Sequence, residues 1–248
     1  MDQVCLYQPL LGIDLRSFLS KEKPFHLSRK QRYAIFAVIT AIGVVVALSN
    51  AFTSFTYGHN KDWNFDSYQG GTTPADYGAF ESNSPSGMWV VKADDSAPSK
   101  PNVLAAQPAG NSSGYHIQVM PDSPDVSDAQ ISVKFKIMPG HTVEQAGLII
   151  RFIDPSHYFV LMADPQNNRI SLCKADIQFV VCNYEAKAQI STGQWHTLEA
   201  TISSEGIGGW YDGSEIIKAN NEYYQTGQVG VWTKDDTGAY FDDLKLEY

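Results

Sequence analysis

The 248-residue sequence is poor in charge, and the charges that it has are unevenly distributed. Only 18% of the residues are charged, and residues 33–57 contain none. Residues 1–32 hold six basic and three acidic residues, and residues 58–248 hold 12 basic and 24 acidic ones, so the net charges are +3, 0 and −12. The acidity of the C-terminal part argues against nucleic acid and anionic membrane surfaces as its partners. Its many aromatic residues argue against disorder.

Two catalytic motifs are also missing. No His-Glu-x-x-His zinc motif occurs, and the five histidines after the apolar stretch are scattered singly. The run Glu-x-Asp-x-x-Glu, which holds the two carboxylates of laminarinase-type glycosidases, is absent. The sequence therefore favours binding over catalysis.

The charge-free stretch from Tyr33 to Phe52 has about the 20 apolar residues that a bilayer crossing needs. Because a basic segment precedes it, the positive-inside rule places the N-terminus in the cytoplasm and the C-terminal domain outside the cell. The alternative is a cleavable signal peptide, since residues 47–51 offer small residues at cleavage spacing. The predicted single-pass organisation is a cytoplasmic segment at 1–32, a transmembrane signal-anchor helix at 33–54 and an extracellular domain at 55–248, with 58–87 partly a spacer.

The three cysteines fit an exported domain. Cys173 and Cys182 flank a short hairpin-like stretch and are predicted to form a cross-strand disulfide, the alternative being two buried thiols. Cys5 lies on the other side of the membrane, as a reduced thiol or a lipidation site. Asn111 begins the single glycosylation sequon of the exported part.

Short alternating runs after residue 58 predict an all-β domain. In Ile131-Ser132-Val133-Lys134-Phe135-Lys136-Ile137 every second residue is apolar, and Asp212-Gly213 is a type I′ hairpin signal. About ten short strands at this spacing predict a sandwich or jelly roll of two antiparallel sheets. The further strands are predicted at 63–66, 88–92, 115–120, 146–153, 157–163, 169–174, 178–183, 195–202, 207–211, 228–233 and 239–246.

An ordered series of segments resembles one family of exported bacterial and archaeal proteins. The segments are 87–91, 97–104, 145–159, 193–198 (Gly-Gln-Trp-His-Thr-Leu), 227–234 (Gly-Gln-Val-Gly-Val-Trp-Thr-Lys) and 241–244. They resemble concanavalin A-like, laminin G-like jelly rolls, related to the group that includes 3-keto-disaccharide hydrolases. The resemblance spans residues 60–248 and implies a concave face where relatives bind sugars and a convex face that often carries calcium. Met162 and Asp164 depart from the family pattern, which has arginine and asparagine there, and this departure counts against catalysis.

Arg151 stands among apolar neighbours in the run 147–153 and needs a compensating partner. One interpretation is a structural pair with Asp154 or Glu144. If the face is concave, Arg151 belongs instead to an aromatic and polar groove suited to a sugar. The predicted ligand-binding residues are Arg151, Asp154, Tyr158, Asp164, Trp232 and Lys234.

Asp242 is a carboxylate that alternates with apolar residues in the last strand. Related jelly rolls hold calcium with an acid at this place, and Asp66 in the first strand is the natural second ligand. The resemblance thus implies a structural Ca²⁺ at Asp66 and Asp242. A hydrogen-bonded carboxylate and a solvent-facing Asp at a bulge are the alternatives.

Together these features predict a membrane-anchored, lectin-like protein that binds carbohydrate or glycoconjugate without catalysis. One alternative is a structural or accessory subunit of a membrane complex, in which the sandwich contacts other proteins. Another is a glycoside hydrolase or lyase of the keto-sugar group, which needs a carboxylate beside Arg151.

Overall fold

The computed structural model describes residues 57–72, 78–81, 89–107, 113–176, 179–220 and 223–248. The predicted cytoplasmic segment, the predicted transmembrane helix, Cys5 and Asn111 lie outside these ranges. Thr56–Tyr248 forms one compact unit. None of the helical structure within the described ranges has the length and apolar character needed to span a membrane.

The described residues form 15 strands and one short 3₁₀ turn at Pro165–Asn167. The strands are β1 (Asn60–Trp63), β2 (Gly78–Glu81), β3 (Trp89–Ala93), β4 (Asn102–Ala106), β5 (Tyr115–Val119), β6 (Ala129–Ile137), β7 (Ala146–Asp154), β8 (His157–Asp164), β9 (Arg169–Asp176), β10 (Phe179–Lys187), β11 (His196–Ile202), β12 (Gly206–Tyr211), β13 (Ser214–Asn220), β14 (Gln228–Lys234) and β15 (Ala239–Glu247).

The strands build two antiparallel sheets. The eight-stranded sheet has the order β13-β12-β11-β6-β15-β4-β3, and β1 also pairs with β15. The seven-stranded sheet has the order β10-β9-β8-β7-β14-β5-β2. Seven of the 13 neighbouring pairs join strands that are not consecutive in sequence, as expected for a jelly roll.

The core lies between the two sheets and follows the alternation of the sequence. In β6, Ile131, Val133, Phe135 and Ile137 are all buried, and they pack in one cluster with residues of the other sheet such as Leu148. Alternate side chains of a strand point to opposite faces, so one face of each sheet supplies this cluster. The predicted two-sheet sandwich is confirmed.

Two local predictions are confirmed as well. Asp212 and Gly213 both have positive φ, at 46° and 76°, as a type I′ turn between β12 and β13 requires. Cys173 and Cys182 lie directly opposite each other on β9 and β10 and form a disulfide. The sequence prediction of the first strand was less accurate, because β1 ends at Trp63 and does not extend to Asp66.

Candidate functional site

Tyr158 and Trp232, the two rings of the predicted sugar groove, do come together. The Trp232 indole Nε1 donates a hydrogen bond to the Tyr158 hydroxyl at 3.2 Å. Both rings lie on the face of the seven-stranded sheet that is turned away from the main core, in a second apolar cluster. Their relative exposures are 0% for Tyr158 and 1% for Trp232, and burial raises the pKa of the Tyr158 phenol. The expected open groove of accessible rings is therefore not found at these two residues.

Arg151 has a different environment from either of the two that the sequence suggested. A bulge in β7 after Ile150 interrupts the alternation, and Arg151 has the positive φ of 53°. Its guanidinium donates to the main-chain carbonyls of Tyr224 at 2.7 Å, Ser127 at 2.6 Å and Ser203 at 3.3 Å. These carbonyls belong to three separate connections, so Arg151 ties three loops together at one end of the sandwich.

Gly227 allows this bulge to form. A β-carbon at Gly227 would lie 2.4 Å from the main-chain carbon of Arg151, a distance that real structures do not tolerate. Burial lowers the pKa of the Arg151 guanidinium, against the attraction of Asp128. Neither carboxylate proposed as its structural partner takes that role, because Asp154 binds His157 at 2.8 Å and Glu144 accepts a hydrogen bond from the Gly140 amide.

The remaining predicted groove residues lie at opposite ends of the seven-stranded sheet. Asp154 pairs across β7 and β8 with His157, and hydrogen bonds from His157 lower the pKa of the Asp154 carboxyl. Asp164 ends β8 at the other end of the sheet, where it is fully buried and binds Arg169 at 3.2 Å. Lys234 is half-buried near that same end, at the end of β14. The structure thus gathers Tyr158 and Trp232 but separates them from the charged residues, and the ligand-binding role of the set stays a prediction.

Asp242 and Asp66 both bind one segment of the chain. Asp242 is fully buried and accepts hydrogen bonds from the Ser99 amide (2.9 Å), the Ser99 hydroxyl (3.0 Å) and the Asp243 amide (2.8 Å). Asp66 accepts one from the Asn102 amide at 3.0 Å. Burial raises the pKa of the Asp242 carboxyl, although these hydrogen bonds oppose the shift.

This donor set fits a calcium ion poorly. The hydrogen bonds occupy both oxygens of Asp242, whereas Ca²⁺ needs six to eight oxygen ligands. Among the described residues, no group of three or more His, Cys, Asp and Glu side chains could hold a metal. The contacts favour the hydrogen-bonded carboxylate, and the calcium site stays a prediction.

The alternation that placed Asp242 with Leu244 and Leu246 is wrong. Asp243 has a positive φ of 46°, and the register of β15 against β6 shifts between Asp242 and Lys245. This bulge inserts an extra residue, so Leu244 and Leu246 face the core while Asp242 does not. The carboxylate instead lies under the segment that contains Ser99.

Half-exposed aromatic residues lie on the outer face of the eight-stranded sheet. One group surrounds Lys136, whose ammonium lies 4.9 Å from the ring centre of Trp195 and 5.0 Å from that of Tyr240. The ammonium also binds the Asp94 carboxylate and, at 2.7 Å, the Ser96 hydroxyl. The polar groups of this cluster satisfy one another, which is typical of a structural cluster.

Trp210 forms a second aromatic feature on this outer face. Gly206, Gly208 and the side chain of Trp210 lie on one face of β12, and a β-carbon on Gly208 would lie 2.6 Å from the Trp210 ring. The indole therefore lies over the space that Gly208 leaves free, and Trp210 is half-exposed. The strand register places Glu199 and Glu215 on either side of Trp210, and Thr201 and Lys218 on either side of Gly208.

A groove of about 360 Å³ has Gly206, Gly208 and Lys218 in its lining, and the Trp210 ring adjoins this lining at Gly208. Its polar lining includes the side chains of Thr201, Glu205 and Asn220, which make no hydrogen bond to any described residue, and the exposed ion pair of Lys218 and Glu215 at 3.4 Å. Unlike the Lys136 cluster, this groove presents hydrogen-bonding groups that are open to a ligand. We call it the Trp210 groove.

Sequence reasoning missed the Trp210 groove, although a signal for it exists. Gly206, Gly208 and Trp210 recur every second residue just before the Asp212-Gly213 turn. On a strand this period gives one face two positions without side chains and a large ring beside them. The sequence analysis instead predicted binding at Trp232, which lies within the segment 227–234 of the resembled family.

Comparison with known proteins finds no matching family model and no matching curated protein. Solved structures are similar in fold. The carbohydrate-binding module CBM66 from Bacillus subtilis is 16% identical, with a TM-score of 0.56 over 69% of this chain and 96% of that one. The cellulose induced protein Cip1 is 14% identical, with a TM-score of 0.54 over 75% of this chain and 96% of that one.

A protein of unknown function with a galectin-like fold, also from Bacillus subtilis, is 9% identical, with a TM-score of 0.51 over 69% of this chain and 89% of that one. At such low identities the similarity establishes the fold alone, a galectin-like jelly-roll sandwich. The narrower relation to the keto-disaccharide hydrolase group stays a prediction.

Proposed function

We propose that this protein binds carbohydrate in the Trp210 groove, without catalysis, in a domain displayed outside the cell on an N-terminal membrane anchor. The observation that supports this best is a half-exposed indole beside hydrogen-bonding side chains that bind no other described residue. The fold also occurs in a carbohydrate-binding module. The ligand of that module is not evidence for the ligand of this chain. The proposal depends on the residues of the Trp210 groove.

The groove matches the chemistry of a sugar. The apolar C–H face of a sugar ring stacks on an aromatic ring, and its hydroxyls exchange hydrogen bonds with carboxylates, amides and hydroxyls. Trp210, whose ring adjoins the lining at Gly208, supplies the aromatic ring. Glu205, Asn220 and Thr201 supply the polar groups. The volume of about 360 Å³ lies at the lower end of the range of about 300–1,000 Å³ for small-molecule sites.

The proposed location depends on the sequence and on one structural feature. The apolar stretch 33–54 and the basic segment before it support an anchor with an outside domain. The Cys173–Cys182 disulfide fits an oxidising compartment. Non-catalysis is supported by Asp154 and Glu144, the two carboxylates that the keto-sugar alternative would use, because they bind His157 and the Gly140 amide and not Arg151.

A glycan array tests the proposal with the full chain solubilised in detergent. We expect binding to a subset of glycans, and we expect Trp210→Ala to abolish it. Trp195→Ala is the matched control, because Trp195 is another half-exposed tryptophan near the same outer face but outside the groove. Thermal melting of both variants checks that they are folded.

Two outcomes would count against the proposal. Glycan binding that survives Trp210→Ala would exclude the groove. Silence of the folded wild-type chain across the whole array would reject carbohydrate binding and favour the complex-subunit alternative, for which native purification from membranes would reveal co-migrating partners.

A further inference from the structure

A second cleft opens beside the Trp210 groove, where the edges of the two sheets meet. β10 is the edge strand of the seven-stranded sheet and β13 that of the eight-stranded sheet, and the two lie in contact. Between them is a cleft of about 60 Å³. Its floor is apolar, with Phe159 and Leu172, and its rim carries the amides of Asn183 and Asn220. We call it the edge cleft.

Two tyrosines stand at the rim of the edge cleft with much of their surface in solvent. Tyr184 is 36% exposed and Tyr223 is 48% exposed, and both are among the few large hydrophobic side chains exposed in the described residues. The Lys174 ammonium lies 3.8 Å from the ring centre of Tyr223 and binds the Asp176 carboxylate at 2.9 Å. Because the Lys174 ammonium contacts one face of the Tyr223 ring, it fixes the orientation of the ring, on which a sugar can stack.

The edge cleft and the Trp210 groove share lining residues. Ile207, Ala219 and Asn220 border both of them. The groove lies along the outer face of β12 and β13, and the cleft lies on the other side of β13, at its C-terminal end. Asn220 lines the groove, and Asn220 and Tyr223 both line the cleft, so a ligand that extends from the groove past Asn220 would enter the cleft that Tyr223 borders.

We propose that the groove and the edge cleft together bind an oligosaccharide, with one sugar unit on Trp210 and a following unit on Tyr223; this inference rests on the function proposed above. A volume of about 60 Å³ is far below that of an ordinary ligand pocket, so the cleft accepts a substituent such as a hydroxymethyl group while the sugar ring stays on the tyrosine. The amides of Asn183 and Asn220 are placed to bind its hydroxyls.

The test measures affinity against chain length with the full chain in detergent. The probes are gluco-, xylo- and fructo-oligosaccharides from monosaccharide to hexasaccharide, in whichever series the array identifies. We expect affinity to rise from one unit to several and Tyr223→Ala to lower the affinity for the longer members by about tenfold. Tyr223→Ala should leave monosaccharide binding unchanged, whereas Trp210→Ala abolishes binding at every length.

Val181→Ala is the matched control, because Val181 is a neighbouring β10 side chain with 46% exposure that does not line the cleft. Equal affinity for all lengths, or no effect of Tyr223→Ala on long chains, would overturn the extended site and leave the groove proposal intact. Absence of binding at every length would instead be the failure of the proposed function.

An independent observation concerns three buried polar side chains on the core face of β5 and β14. His116, Gln118 and Thr233 are each 0% exposed. Thr233 lies directly opposite His116 in the strand register, and Gln118 follows two residues later on the same face. His116 Nδ1, Gln118 Oε1 and Thr233 Oγ1 have no hydrogen-bond partner among the described residues.

His116 Nδ1 and Gln118 Oε1 need a donor, and the Thr233 hydroxyl needs a partner to which it can donate. His116 Nε2 lies 3.0 Å from the Asp235 carbonyl oxygen and must donate to it, so Nδ1 carries a lone pair. The Gln118 amide nitrogen donates to the Val119 carbonyl, which leaves its Oε1 as an acceptor. We also infer that one water molecule binds here, donating to His116 and Gln118 and accepting from Thr233. Water satisfies all three atoms, whereas a cation would be buried among neutral side chains.

The direction in which Thr233→Val changes the melting temperature tests whether a water molecule is bound here. Thr233→Val keeps the shape of the side chain and removes the hydroxyl. If the hydroxyl binds a water, the full chain should melt about 2–4 °C lower. If the hydroxyl has no partner at all, valine removes a buried unsatisfied group and the melting temperature should rise, which would overturn the inference. Thr201→Val, on the outer face, is the control and should change little.

Discussion

The outer faces of the two sheets both carry a tryptophan, but the two tryptophans differ in their neighbours and in their exposure. On the seven-stranded sheet, Trp232 lies opposite Ile117 and Gly147 and is 1% exposed. On the eight-stranded sheet, Trp210 lies opposite Glu199 and Glu215 and is half-exposed. The comparison shows that an aromatic residue does not by itself mark a ligand surface. The residues across the neighbouring strands decide whether its ring is packed or available.

The largest difference in stability between the two faces is expected when Trp232 or Trp210 is replaced by alanine. Trp232→Ala removes a buried ring that contacts Tyr158 and stacks on Tyr115 at 5.5 Å, so the free energy of unfolding should fall by about 3–5 kcal/mol. Trp210→Ala is the matched variant on the other face and should cost below about 1 kcal/mol. Denaturant unfolding of the two full-length variants measures both values. Equal losses would mean that the faces do not differ as described.

A smaller effect is expected from the charge pair on the eight-stranded sheet. Asp94→Asn leaves the Lys136 ammonium, whose side chain is 8% exposed, without its carboxylate, and this should cost about 3 kcal/mol at neutral pH. Burial alone would raise the pKa of Asp94, but hydrogen bonds from Lys136 and Ser96 outweigh it and lower that pKa.

The lowered pKa of Asp94 determines how the difference in stability between the wild type and Asp94→Asn depends on pH. A carboxyl whose pKa is lower in the folded state contributes stability above its unfolded pKa of about 3.8, and the contribution is lost as the pH falls through the folded value. The wild type and Asp94→Asn should therefore differ most above about pH 5 and converge in acid. Urea unfolding at a series of pH values checks this. A difference that is constant from neutral to acidic pH would show that Asp94 acts through packing and not through its charge.

Much of the fold could be predicted from the sequence, because alternation and turn chemistry are local. Ile131 to Ile137, the Asp212-Gly213 turn and the Cys173–Cys182 pair were all predicted and are confirmed. β4, from Asn102 to Ala106, was missed because all five of its residues are buried and it shows no period of two.

The candidate site could not be predicted in the same way. At the bulge after Ile150, β7 has one extra residue relative to β14 and two relative to β8, and β15 has one extra residue at Asp243. These insertions change the faces that simple alternation assigns to Arg151 and to Leu244. A bulge has no reliable signal in a single sequence. The partners of Arg151 are main-chain carbonyls of three loops, and no side-chain pattern reports where a carbonyl points.

The smallest effect is expected from calcium removal, which concerns Asp242 beneath the Ser99 segment. Three donors already surround its carboxylate, and the described residues offer no group of three metal-binding side chains. A chelator should therefore leave the melting temperature of the full chain unchanged, whereas Asp242→Asn should lower it, because asparagine replaces one acceptor oxygen by a donor amide that faces the Ser99 or Asp243 amide. Calorimetry with and without chelator measures the first effect. A fall of several degrees on chelation that added Ca²⁺ reverses, and that Asp242→Asn abolishes, would establish the calcium site predicted from the sequence and would place a metal on the outer face that otherwise holds the groove.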